Sequence, residues 1–153
     1  MKAEIVTAHR DHIATIAANM RETDRREMYD FAMLSPFEAV YRSFEGASLA
    51  WTGTIDGVPV CMFGVSKASL LSDTGLVWLF TTDAIEKHHV TFLRRCKPVV
   101  EAMQAVFPRL ENFVAAYNVK AIQWLKWLRF SFSEPEPMGH FRAPFIKFSM
   151  ESK

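Results

Sequence analysis

Between Leu110 and Phe130 the chain passes from one hydrophobic period to another across a single polar residue. The run Phe113 to Tyr117 is apolar and nearly continuous, the pattern of a buried strand. Beyond it, Ala121, Trp124, Leu125 and Leu128 recur at i, i+3, i+4 and i+7, one apolar stripe of a helix. Asn118 stands between the two. Asn is a favoured N-cap because its side-chain oxygen accepts from an orphan N–H of the first helical turn. A strand that turns straight into an amphipathic helix restricts the chain to layered α/β arrangements. It also puts a polar side chain at a strand's carboxyl end, where ligands of such folds often bind.

The rest of the chain supplies matching elements. Ala3 to Ala8 reads as a short first strand. Ile13, Ile16, Ala17 and Met20 form a helical stripe with Asp11 as its cap. The charged segment Arg21 to Asp30 has few apolar residues and is expected to fray or lie on the surface. Ser35-Pro36-Phe37-Glu38 has the form of a capping box with Pro at the first helical position, and Phe37, Val40, Tyr41 and Phe44 continue that helix to Gly46. Ser48 to Ile55 and Val58 to Ser66 are strand-like runs joined at Asp56-Gly57, a hairpin signal, with Pro59 marking a weak start or a bulge. Leu76 to Thr82 reads as a central strand. A helix from about His88 to Phe107 follows, with a kink or break expected at Pro98 and a stop at Pro108. Phe141, Phe145, Ile146, Phe148 and Met150 are strand material, set off from Phe132 by Pro135 and Pro137.

Composition narrows the function classes. The 153 residues suit one domain, 1–153, and half of them are hydrophobic, which argues against disorder. A formal net charge of +1 provides no broad basic field for nucleic acid. Trp51, Trp78, Trp124 and Trp127 do not interleave with a basic stripe, so they read as core or rim residues. The longest apolar run, around Leu76 to Phe80, is too short to span a bilayer, and the N-terminus lacks a signal-peptide core. Cys61 and Cys96 read as reduced core thiols, which places the protein in a reducing cytoplasm. His88 and His89 have no nearby cysteine, so no metal is expected.

The segment Asn118-x-x-Ala121-Ile122-x-Trp124-Leu125-Lys126-x-Leu128-Arg129-Phe130 resembles the last motif of the GNAT acyltransferases, which runs roughly Asn-x-x-Ala-x-x-x-Tyr-x-x-x-Gly-Phe. Leu125 stands where that family usually has Tyr, a common general acid, and Arg129 where it has Gly. The element order read above, β-α-α-β-β-β-α-β-α-β-β, is the one the resemblance implies. It describes a single-domain α/β (α+β) GNAT-like fold, a central mixed, twisted sheet flanked by helices. The helix between them makes Leu76 to Thr82 and Phe113 to Tyr117 neighbouring, roughly parallel strands that diverge at their C-terminal ends.

The resemblance also implies a chemistry: an amine, on a small molecule or a peptide, attacks the thioester of acetyl-CoA. In the family a glycine-rich loop after the fourth strand binds the CoA pyrophosphate through backbone N–H groups at a helix N-terminus. The matching stretch here, Thr81 to Phe92, has no glycine, so Lys87, His88 and His89 are the candidates to meet the phosphates. Backbone groups of Phe80, Thr81 and Thr82 would pair with the pantetheine arm and polarise the thioester carbonyl. Asn118 would contact the same arm. Thr82 is followed by Asp83, whose plainer role is to cap the next helix.

Glu22, Asp24 or Glu111 acting through water, or His88, would take the amine proton. Leu125 cannot protonate the leaving thiolate, and Tyr117 is the substitute donor. Glu22, Asp24, Glu27 and Asp30 alternate with Arg21, Arg25 and Arg26, as on a solvated helix face. The functional alternative is that Arg21 and Asp24 line the acceptor pocket, because early helices form one acceptor wall in GNAT enzymes.

Shorter phrases are similar to a phage-encoded GNAT-like family that includes an internal virion protein of short-tailed phages. Among them are Asp56-Gly57 with Met62-Phe63-Gly64-Val65, Trp78-Leu79 with Thr82-Asp83, His88 with Phe92-Leu93-Arg94, and Pro108-Arg109-Leu110-Glu111-Asn112. This second resemblance implies a phage or prophage origin and a bacterial or phage-infected host. It also sets an alternative beside the enzyme: a catalytically inactive GNAT-fold protein with a structural, virion-associated or binding role, virion proteins being among its partners.

Overall fold

The computed structural model describes residues 2–152. In chain order it runs β1 (Ala3–Thr7), a 3-10 turn (Arg10–His12), α1 (Ile13–Ala18), α2 (Glu22–Ala32), α3 (Pro36–Gly46), β2 (Leu49–Ile55), β3 (Val58–Lys67) and β4 (Thr74–Thr81). Then come α4 (Ile85–Val106), β5 (Arg109–Ala115), α5 (Val119–Trp127), β6 (Ser131–Phe132), β7 (Glu136–Met138) and β8 (Ala143–Glu151). Among the described residues the eight strands form one sheet in the order β1-β2-β3-β4-β5-β8-β6, with β7 also on β8. Its pairs are antiparallel except β4–β5, which is parallel as the intervening helix requires.

Each face of the sheet carries its own core. On one side α4 and α5 pack over β3, β4 and β5 around Phe63, Val65, Val77, Phe92, Leu110, Val114 and Trp124. On the other, α1 and α3 cover Met62 and Phe80 with Ile13, Ile16 and Val40. The local signals explain most boundaries. Asp56 and Gly57 have φ of 50° and 81°, the left-handed pair a two-residue hairpin needs. The register slips beside Pro59, where Thr54 faces Pro59 while Gly53 faces Cys61. Ser35 caps α3 through the Glu38 N–H.

Asn118 caps α5 through the Ala121 N–H. That helix ends in a Schellman motif, with Phe130 N–H donating to Leu125 O and Arg129 N–H to Lys126 O. Arg129 holds φ at 76°, which explains why glycine suits this position.

Several expectations are corrected. Arg21 to Asp30 does not fray and is only half on the surface: α2 runs Glu22–Ala32, exposes Glu22, Arg26 and Tyr29, and buries Asp24 and Glu27 with Arg21 buried at its start. His9, not Asp11, caps the 3-10 turn that leads into α1. The helix α4 starts at Ile85, before His88, and continues through Pro98 without a break. The strand before Asn118 is Arg109–Ala115, so Ala116 and Tyr117 belong to the turn after it. The tail holds three strands, not two.

The β7–β8 hairpin packs its tip against the end of α2. Tyr29 stacks on Phe141 and Phe31 tilts against Phe145. Gly139, at φ 76°, lies so close that a Cβ there would sit 2.1 Å from the Asp30 carbonyl oxygen.

Candidate active site

The site begins where β4 and β5 part. Their register holds for three pairs, Thr74 with Arg109, Gly75 with Leu110 and Leu76 with Glu111, and then ends. The side chain of Asn112 marks the fork: its amide donates to the Val77 carbonyl at 2.8 Å, where the next ladder bond would have been. Past this point the two strands diverge, as expected from the sequence. Between them, and through to both faces, lies a cavity of about 300 Å³. Cores as tightly packed as a protein interior seldom hold a void of this size without an occupant.

Backbone direction decides which β4 groups face the gap. Thr82 N–H donates to Val60 O on β3, so the even-numbered residues of β4 turn toward β3. Val77, Leu79 and Thr81 turn the other way. Phe80 therefore offers the gap no backbone group; its side chain lines the cavity and packs in the α1–α3 core. The Thr82 hydroxyl donates to Val60 O, which also takes Thr82 away from the gap. Leu79, which the sequence did not single out, presents its N–H and C=O midway along it.

The open end of the fork is closed by a buried polar network. Thr81 N–H donates to Asp24 Oδ2 at 3.0 Å and the Thr81 hydroxyl donates to the same oxygen at 2.5 Å. Arg21 Nε donates to the Thr81 hydroxyl oxygen at 2.8 Å, and the Arg21 backbone N–H to the Thr81 carbonyl. Arg21 Nη2 donates to Asp24 Oδ1 at 2.8 Å and to Asn118 Oδ1 at 3.1 Å. The Asn118 amide in turn donates to Glu27 Oε2 at 2.5 Å. The Arg21 guanidinium lies over the Trp124 ring, 4.9 Å from its centroid. Arg21 and Asp24, predicted for the acceptor, and Thr81 and Asn118, predicted for the cofactor, thus meet in one cluster. Arg21 and Asp24 form a buried pair, side chains 4% and 9% exposed, whose charges cancel.

Glu27 completes this cluster and was not predicted as a site residue. Burial pushes its carboxyl up to about 8, and the neighbouring Asp24 charge adds to that; hydrogen bonds from Asn118 and the Ala115 backbone and the Arg21 charge oppose it. Its signal was present in the sequence. Met20, Asp24, Glu27, Met28 and Phe31 lie on one helical stripe, so two acids occupy positions that an amphipathic helix fills with apolar side chains.

The other predicted residues fall elsewhere. Glu111 sits at the closed end of the fork and accepts from Arg109 Nε and Lys147 Nζ, both at 3.0 Å. The Lys147 bond, followed by that from Arg109, holds its carboxyl below the usual range. Tyr117 lies outside the cavity wall and donates to Asp30 Oδ2 at 2.9 Å; burial and that bond raise its pKa. His88 is half-buried and His89 and Lys87 are exposed on the first turns of α4. The His89 ring stacks on Trp124, 6.4 Å between centroids. Leu125 lines the cavity.

The α4 N-terminus already has an anion beside it. Glu86, in its first turn, accepts from Lys120 Nζ at 2.8 Å and lies 3.9 Å from Arg21 Nη1, and its carboxyl is held low by Lys120. No group of metal-ligating side chains occurs among the described residues. Nor does any described helix have the length and apolarity to cross a membrane. Cys61 and Cys96 are both free thiols, and burial raises the pKa of each.

No family model matches the chain, and no curated protein matches it in sequence. Solved structures do match. An N-acetyltransferase from Staphylococcus aureus superposes with a TM-score of 0.76 over 100% of both chains at 12% identity. A GNAT-family acetyltransferase from Streptococcus pneumoniae gives 0.70 over 98% of this chain and 99% of its own, at 13% identity.

The fold is that of the GNAT acetyltransferases. A third GNAT-fold neighbour, from Salmonella typhimurium, was solved with its cofactor acetyl-CoA; it gives 0.69 at 11% identity, covering 99% of this chain and 94% of its own. In the present chain β4 and β5 part after three paired positions, and α4 follows β4 directly after a short turn. There Glu86, Lys87 and His88 stand in a glycine-free turn.

Proposed function

We propose that the protein is an acyl-CoA-dependent N-acyltransferase that takes acetyl-CoA as cosubstrate and an amine as acceptor. The observation that carries this reading is the forked β4–β5 pair, with a cavity of about 300 Å³ in the fork and a buried carboxyl of raised pKa at its mouth. The thioester end of acetyl-CoA fits the fork. Leu79 turns an N–H toward the gap, where it would polarise the thioester carbonyl. The phosphate end has no glycine amides to meet. Lys87 and Lys120 supply positive charge in their place, against the resident carboxylate of Glu86.

Glu27 is the proton acceptor in this scheme. An alkylammonium of the lysine type loses its proton near pH 10.4, and a carboxyl at about 8 is a better-matched acceptor than an ordinary one. The neutral amine then forms the C–N bond, the C–S bond breaks, and the nitrogen's second proton leaves with the thiolate. Leu125 contributes no acid to this last step. The Thr81 N–H, held by Asp24, is not needed for it.

A second reading has its own support. Asp24 and Arg21 already satisfy the gap-facing groups of Thr81, and Glu86 already stands at the α4 N-terminus. A GNAT-fold protein that binds a partner without catalysis, with the phage or prophage origin and virion association implied by the short phrases above, would have the same two features.

Thiol release from acetyl-CoA with a panel of polyamines and peptide amines separates the two. On the enzymatic reading, wild type turns over, and Glu27→Gln lowers kcat/KM by about 10²–10⁴-fold while remaining folded. A wild type that neither binds CoA nor releases thiol leaves the binding protein as the reading to keep.

A further inference from the structure

The cavity wall carries a second polar group, on β4, that the acyl-transfer scheme does not use. Among the described residues, Trp78 Nε1 is the one buried side-chain nitrogen or oxygen without a hydrogen-bond partner. Buried indole N–H groups normally find an acceptor, because an unpaired one forfeits its hydration. The ring is not free to turn toward one. It packs against Gly64, where a Cβ would sit 2.6 Å from Trp78 Cζ2, and tilts against Phe80 at 5.6 Å. Trp78 lines the same cavity as Glu27, together with Arg42 and Ser43 of α3. Arg42 is exposed and held only loosely, 3.8 Å from Glu38.

The cavity wall therefore carries an acid from α2 and donors from β4 and α3, Trp78 and Arg42, along with apolar side chains such as Met28, Phe31 and Leu34. We infer that the acyl acceptor is an amine on an apolar or aromatic body that ends in a carbonyl or carboxylate, and that this end group accepts the indole N–H of Trp78. The inference rests on the acyl transfer proposed above for the role of the ammonium end. Its donor end stands on geometry alone. The ammonium lies at Glu27, the apolar body along Met28 and Phe31, and the acceptor atom between Trp78 and Arg42.

The test is calorimetric binding of two probes to the full chain without cosubstrate: para-(aminoethyl)benzoate and phenethylamine, which differ only in the terminal carboxylate. The carboxylate probe is expected to bind about tenfold more tightly, the size of one charge-assisted hydrogen bond. Trp78→Phe keeps the packing, deletes the N–H and should bring the two affinities together. Arg42→Gln, at an exposed position, should narrow the difference by part. In wild type the Trp78 indole N–H resonance should move with para-(aminoethyl)benzoate and stay with phenethylamine.

Equal affinities in wild type, or a preference that survives Trp78→Phe, would overturn the inference. Thiol release can then be scored separately. Selective binding with no turnover removes the acyl transfer and keeps the acceptor site, whereas turnover with both amines alike removes the acceptor site and keeps the transfer.

Discussion

Glu27 and Glu111 stand at opposite ends of the same gap between β4 and β5, and their surroundings give them opposite chemistry. Glu111, where the strands are still paired, has Lys147 and Arg109 on its oxygens and water nearby, and its carboxyl is held low. Glu27, where the strands have parted, is buried beside another acid, shares the Arg21 charge with Asp24, and is pushed up to about 8. A carboxylate with two cations on its oxygens is a structural anion. One that must compete for a single guanidinium in a dry site becomes a group that exchanges protons near neutral pH. In a sequence the two are the same letter.

The largest effect should come from removing that guanidinium. Arg21→Met leaves Asp24 buried without its partner and is expected to cost roughly 3–5 kcal/mol in urea unfolding, whereas Arg109→Met, which takes one of two cations from the half-buried Glu111, should cost far less. Comparable losses in the two would erase the distinction between the ends.

The next effect is a pH dependence of opposite sign. Because folding raises the Glu27 pKa, the folded chain binds the extra proton between about 4.5 and about 8, and stability falls as pH rises through that window. Glu27→Gln should flatten the decline and gain most over wild type near pH 8.5, by a few kcal/mol. Glu111 is shifted down, so its contribution is present above the unfolded pKa and is lost on acidification. Glu111→Gln should remove a small acid-side loss and leave the alkaline limb untouched. Urea titrations at a series of pH values read both limbs.

The smallest effect lies outside the gap. Glu86→Gln takes away the carboxylate beside the α4 N-terminus, and calorimetry should find acetyl-CoA bound a few-fold more tightly, with a weaker response in high salt. Unchanged affinity would place the phosphates elsewhere.

The fold was readable in the sequence where apolar side chains carry the pattern. Phe113, Val114 and Ala115 before Asn118, and Trp124 and Leu128 after it, mark the strand-to-helix corner because burial there is apolar. The parallel, diverging pair follows from the helix between its strands. The α2 helix was misread for the converse reason. Its inward face carries Arg21, Asp24 and Glu27, and buried charges that satisfy one another have the same periodicity as solvated ones. The start of β5 was hidden likewise, since Arg109, Glu111 and Asn112 are polar residues that pair within the sheet. The site was partly visible. Resemblance supplied Asn118, Thr81, Arg21 and Asp24. No local pattern separates Leu79 from Phe80 and Thr82, because which of them faces the gap depends on pairing with β3.

The hairpin tip at Gly139 bears on the acid it never touches. The α2 helix is fastened at its start by Arg21 and at its end by the tail, through Tyr29 on Phe141 and a backbone approach that tolerates no Cβ at residue 139. A helix held at both ends moves as a rod. A bulkier turn at 139–142 would tilt it about its anchored start and carry Glu27 sideways across the fork. Relatives could then diverge in acceptor preference through changes far along the chain, with every residue of the cavity wall unaltered.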